Sequence, residues 1–145
     1  MIRGDRMMKR KTVFLIVMSI FACCLFITGC ADGKGYKTMV MSEAQRKIEE
    51  GTDYLIVDVR RQDEYDEGHI PGAVLVPIEV IREGEPAALP DKNRKMMLYC
   101  WTGRRSEDSC ALLAEYGYTH LINIGGLVDW TGELEKTGAD SNTLN

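Results

Sequence analysis

Four short apolar runs constrain this chain more than anything else in it: DYLIVDVR at residues 53–60, AVLVP at 73–77, RKMMLYC at 94–100 and HLINIGG at 120–126. Each has the length of a strand, and helical or polar segments separate them. Strands that are apolar at consecutive positions must be covered on both faces, and strands alternating with helices are joined by crossovers. The pattern therefore predicts an α/β fold with a central parallel sheet and helices on both faces.

The intervening segments carry helix signals. MSEAQRKIEEG has Ser42 placed as N-cap, Gln45 three residues on and Gly51 as a stop. RQDEYDEGH reads as a polar helical turn, and a helix is expected from Arg104 to Tyr116, ended by Gly117, with Cys110, Leu113 and Ala114 on one side. Cys110 is thereby expected in the core. A last helix over 127–138 would set Leu127, Trp130 and Leu134 at helical spacing, packing Trp130 on the sheet; residues 139–145 read as a frayed tail.

The N-terminal segment reads differently. Lys9, Arg10 and Lys11 precede an apolar run from Val13 to Ile27 that is broken only by Ser19, the order of an export signal. The run is shorter than the roughly 20 residues that a spanning helix needs. It ends in ITGC, residues 27–30, which resembles the lipobox of bacterial lipoproteins. The resemblance implies that residues 1–29 are a lipoprotein signal peptide, that Cys30 is lipidated, and that the protein is exported and lipid-anchored to the bacterial membrane on its extracytoplasmic side. A polar, glycine-containing stretch then suits residues 30–40 to a tether, leaving 41–138 for one domain.

Removing residues 1–29 takes away five basic and one acidic residue, so 13 Lys and Arg stand against 21 Asp and Glu and the net charge moves from −4 to −8. Such an acidic surface argues against nucleic acid as a partner. With Cys30 lipidated, Cys100 and Cys110 remain as thiols. A disulfide between them is disfavoured, because Cys110 would lie roughly 9 Å along the helix from the loop end. No Cys-x-x-Cys or His-x-x-x-His spacing occurs, and His69 and His120 are the only histidines, which argues against a metal site.

The candidate chemistry sits in LYCWTGRRSEDS, residues 98–109. Ligands of open α/β sheets bind at the carboxyl ends of strands, and Cys100 stands at such an end. A helix starting just after it would aim free backbone N–H groups at the sulfur and favour a thiolate and any bound anion. Gly103 would let the loop curl, and Arg104 and Arg105 would add positive charge. On spacing alone, Cys100 could equally be an apolar residue closing a strand.

CWTGRRS resembles the active-site loop of rhodanese-type sulfurtransferases, Cys-x-x-Gly-x-Arg-Ser, through Cys100, Gly103, Arg105 and Ser106. VDVR with Asp58 and Arg60, then EYDEGHIPGAVLVP from Glu64 to Pro77, and GYTHLINIGGLVDW are similar to further signatures of that family, in its order. The resemblance implies a rhodanese-like fold and sulfur transfer without a cofactor. Cys100 would carry a persulfide, and Trp101, Thr102, Gly103, Arg104 and Ser106 would form the binding loop. Arg105 would orient an anionic donor while Arg104 steers from the mouth. The implied partners are a small sulfane-sulfur donor and a thiol, cyanide or protein-thiol acceptor.

Around the loop, Asp58 is read as capping or pairing locally, and Arg60 as pairing with an acid such as Glu64. His69 has the residue type of a general base, but before Pro71 and Gly72 it reads better as a hydrogen-bonded turn residue. Two rival functions remain: a partner-binding or sulfur-carrier module of the envelope, and a phosphatase. Rhodanese-like phosphatases have a Cys-x5-Arg loop, whereas Cys100 to Arg105 is Cys-x4-Arg, a narrower cradle that suits a single sulfur.

Overall fold

The computed structural model describes residues 33–137. The expected signal segment, Cys30 and the tail at 139–145 lie outside the described residues. The sheet has five strands, β1 (Lys37–Thr38), β2 (Leu55–Asp58), β3 (Val74–Leu75), β4 (Met96–Cys100) and β5 (Leu121–Gly126), in the order β1-β5-β4-β2-β3. Every pairing is parallel, as the alternation of apolar strands and helices requires. The helices are α1 (Met41–Glu49), α2 (Gln62–Glu67), α3 (Ile78–Glu83) and α4 (Arg104–Glu115).

The central strand β4 is buried at every position, and its side chains alternate between two cores. Met96, Leu98 and Cys100 join Val57, Val59, Ile81, Cys110 and Leu113 in one. Met97 and Tyr99 join Met41, Ala44, Ile56, Ile70, Ile122 and Ile124 in the other. Helices α3 and α4 cover the first face and α1 the second, so the expected α/β fold, a parallel sheet with both faces covered, is present.

Local outcomes differ from expectation where tertiary contacts outweigh local signals. Helix α1 starts one residue before Ser42: its N-cap is Val40, without a side-chain cap bond, because Met41 and Ala44 are drawn into the second core. Gln45 serves another purpose, accepting from the backbone and hydroxyl of Thr131 at 3.1 and 3.0 Å. The stop at Gly51 is as read, with φ +85° and its N–H donating to Ile48. AVLVP contributes only a two-residue edge strand. Lys37 and Thr38, read as part of a tether, pair with Ile122 and Asn123 and extend the sheet.

The expected last helix is a single 3-10 turn, Leu127–Asp129. Beyond it the backbone of Glu135 exchanges two 2.9 Å hydrogen bonds with that of His69, which a continuing helix could not supply. Leu134 consequently stands 42% exposed, whereas Trp130 still packs against the second core.

Candidate functional site

β4 delivers Cys100 to the carboxyl edge of the sheet, and α4 begins four residues later. Cys100 is 1% exposed, so its side chain closes the first core while its sulfur forms the floor of the loop. The two readings of this residue from spacing are thus compatible. The N–H of Gly103 donates to Cys100 Sγ at 3.1 Å. Arg104, Arg105 and Ser106 form the first turn of α4, where N–H groups have no intrahelical acceptor and the helix dipole is positive.

Gly103 caps α4 in the left-handed region, φ +95°, which favours glycine. The loop also lies hard against the end of β5. A Cβ at Gly126 would come within 2.5 Å of the Trp101 carbonyl oxygen and 2.7 Å of Thr102 Cα, and a Cβ at Gly103 within 3.1 Å of Gly125 Cα. The Val128 N–H donates to that same Trp101 carbonyl at 3.2 Å. Gly126 and Gly103 are therefore what let the loop seat on β5, whereas Gly125 has open space where a Cβ would go and is set apart by its φ of +89°. Trp101 is half exposed at the rim, with Thr102 and Arg104 also facing solvent.

Below the loop is a polar group that the sequence reading did not single out. Asn123 of β5 is buried, and its Oδ1 accepts from Ser106 Oγ at 2.8 Å and from Gly125 N–H at 3.0 Å. The Ser106 hydroxyl has one proton to donate, and Gly103 O at 3.0 Å and Cys100 Sγ at 3.9 Å are its alternatives. A lone asparagine inside LINIGG was the available signal, since a buried amide on a strand needs partners.

Glu64 and Arg60 pair differently from expectation. Arg60 is 2% exposed and binds Asp58, itself fully buried, through Nε and Nη2 at 3.0 and 2.7 Å; Nη2 also donates to the Gly68 carbonyl at 2.7 Å. The two residues stand two positions apart at the end of β2, closer than Glu64 on α2. This pair pins the 68–70 turn, which Tyr99 also holds by accepting from the Ile70 N–H at 3.1 Å.

Glu64 instead takes Arg105, whose Nη1 and Nη2 lie 2.7 and 2.6 Å from its two oxygens. That guanidinium holds the Glu64 carboxyl well below the usual range, at about 2. Arg105 is pulled upward, chiefly by Glu64 and to a lesser degree by the neighbouring Cys100 sulfur.

His69 sits in the brace around the site. Its ring stacks on Tyr65 with centroids 3.6 Å apart, Nδ1 is 2.9 Å from the Tyr65 carbonyl and Nε2 is 3.6 Å from Glu135. Among the described residues no hydrogen bond joins it to Cys100. Cys110 is fully buried on α4, and burial pushes its thiol up to about 12, so it stays protonated.

Known proteins resemble this chain in sequence and in fold. The chain is similar to the thiosulfate sulfurtransferase PspE of Escherichia coli, at 41% identity over 73 residues that cover 50% of this chain and 70% of that protein. It is 30% identical over 114 residues, 78% of this chain, to the probable adenylyltransferase/sulfurtransferase MoeZ of Mycobacterium tuberculosis, of whose length it spans 29%. The solved Rhodanese-like domain of an Anabaena protein superposes with a TM-score of 0.61 at 26% identity, covering 74% of this chain and 85% of that one. Residues 40–133 match the Rhodanese-like domain family, and the chain belongs to it.

Proposed function

We propose that the protein is a sulfurtransferase that moves sulfane sulfur through a persulfide on Cys100, from thiosulfate, a polysulfide or a persulfide to a thiophilic acceptor. The observation that carries this reading is the Gly103 N–H at 3.1 Å from Sγ in a loop of Cys-x4-Arg spacing. In the first half-reaction the Cys100 thiolate attacks the outer sulfur of the donor, the donor's bond to that sulfur breaks, and sulfite or a thiolate leaves with the electron pair. In the second, cyanide or an acceptor thiolate attacks the outer sulfur and releases the Cys100 thiolate. The loop amides hold the anionic persulfide as an oxyanion hole holds its oxygen.

The phosphatase reading finds less support. Its loop arginine would have to clamp a phosphoryl group, whereas both terminal nitrogens of Arg105 are engaged by Glu64. The carrier reading uses the same first half-reaction and differs only in whether turnover follows. By the resemblance of ITGC to a lipobox, the domain works outside the cytoplasm, anchored through lipid on Cys30.

Intact mass spectrometry after incubation with thiosulfate tests the reading. The expected result is the gain of one sulfur atom, mapped to Cys100, removed by cyanide or a thiol, and absent in Cys100→Ala. Steady thiocyanate production distinguishes an enzyme from a carrier. Phosphatase turnover without persulfide formation would overturn the proposal.

A further inference from the structure

The cation nearest the candidate nucleophile is already neutralised. Both terminal nitrogens of Arg105 are bound to Glu64 in a bidentate pair, and the two side chains are only 27% and 20% exposed. Glu64 is also held from behind, because its Oε2 accepts from the Arg61 N–H at 3.2 Å at the start of α2. That bond, with the Arg61 guanidinium 3.4 Å from the same oxygen, holds the carboxylate beside Arg105. With its carboxyl depressed to about 2, Glu64 is ionised near neutral pH. The positive potential that then remains around Cys100 comes from the Gly103 N–H, from the first-turn amides of α4, and from Arg104, which is exposed and in no ion pair among the described residues.

We infer that Glu64 is a specificity-determining residue that biases sulfur transfer at Cys100 toward singly charged persulfide donors and against the thiosulfate dianion. The inference rests on the sulfur-transfer reading above. With Cys100 as thiolate, the loop holds three negative charges when thiosulfate, a dianion, has entered and two when a singly charged alkyl persulfide has. The balance of each reaction is the same: the thiolate bonds the terminal sulfur, the donor's S–S bond breaks, and sulfite or an alkyl thiolate departs with the pair. What differs is the extra charge that must sit near Glu64, and a carboxylate a few ångströms behind Arg105 penalises it in a partly desolvated loop.

The test measures the rate constant of Cys100 persulfidation by quenched intact mass spectrometry, with thiosulfate and with cysteine persulfide as donors. The readout is the ratio of the two, which does not depend on how much of a variant is correctly folded. Glu64→Gln keeps the shape and removes the charge, and should raise the thiosulfate-to-persulfide ratio about tenfold. Arg105→Gln leaves Glu64 offset only by the more exposed Arg61 guanidinium, 3.4 Å from Oε2, and should lower the ratio by a similar factor. The double variant restores neutrality and should return the ratio to within about threefold of the original. Parallel slowing of both donors, with an unchanged ratio in the single variants, would show a merely structural pair and overturn the inference while leaving sulfur transfer intact. Absence of any Cys100 persulfide from either donor would overturn both.

Discussion

Gly126 offers the sharpest test of how the loop is positioned. In Gly126→Ala the added methyl carbon would stand 2.5 Å from the Trp101 carbonyl oxygen, 2.7 Å from Thr102 Cα and 2.8 Å from its carbonyl carbon. All three are backbone atoms, so no rotamer change relieves the clash, and the loop must retreat by roughly 0.7 Å or more to reach ordinary contact distances. Overpacking of this kind costs about 1–3 kcal/mol, and loosening the Val128 N–H to Trp101 carbonyl bond adds about 1 kcal/mol. The same retreat carries Gly103 N–H away from Cys100 Sγ, now at 3.1 Å. Misplacement of this size costs catalysis on the order of 100-fold.

Thermal unfolding and the rate of Cys100 persulfidation should both be measured, with Gly51→Ala as the control. Gly51 has φ +85° but open space where a Cβ would go, and it precedes β2, at the sheet end opposite Cys100. That variant should lose about 1 kcal/mol of stability through backbone strain and keep its rate. If Gly126→Ala retains a persulfidation rate within about twofold of the parent, the idea that β5 sets the loop's position through this contact is wrong.

Acid titration provides an independent check on the Glu64–Arg105 pair. The Glu64 carboxyl is depressed to about 2 from 4.5, so its contribution to stability is complete above pH 4.5 and is lost as pH falls through about 2. The ceiling is about 3 kcal/mol, reduced by solvent at a partly exposed pair to about 1–2 kcal/mol. Chemical denaturation from pH 6 to pH 2 should show this loss in the parent and a correspondingly flatter profile in Glu64→Gln; identical profiles would refute it. For the anchor, metabolic labelling of the full chain with a fatty acid should place lipid on Cys30 and none on Cys30→Ala. Equal labelling of the two would exclude Cys30 as the site.

Much of the fold was legible because burial and chain direction leave a periodic trace. The unbroken apolar run MMLYC could only be a strand covered on both sides, and Gly117, with φ +90°, ended α4 where its position suggested. Signals that depend on local chemistry alone fared less well. Ser42 had the residue type of an N-cap, yet the gain from burying Met41 moved the helix start. Leu127, Trp130 and Leu134 had helical spacing, yet two backbone bonds between His69 and Glu135 drew the segment into an extended path.

At the candidate site the division is similar. The amino-acid sequence by itself determined which residue is the nucleophile candidate, the spacing of the loop that surrounds it, and the glycine that must turn there. These are properties of adjacent residues, and covalent connectivity carries them. Which charges cancel was decided only by the tertiary structure. Arg60 takes Asp58, two positions away, while Glu64 crosses 41 positions to reach Arg105. Asn123 and Gly126 come to support the loop because β5 lies beside β4. An ion pair or a close backbone contact depends on distance in space, which the order of residues does not express until the sheet has brought its strands together.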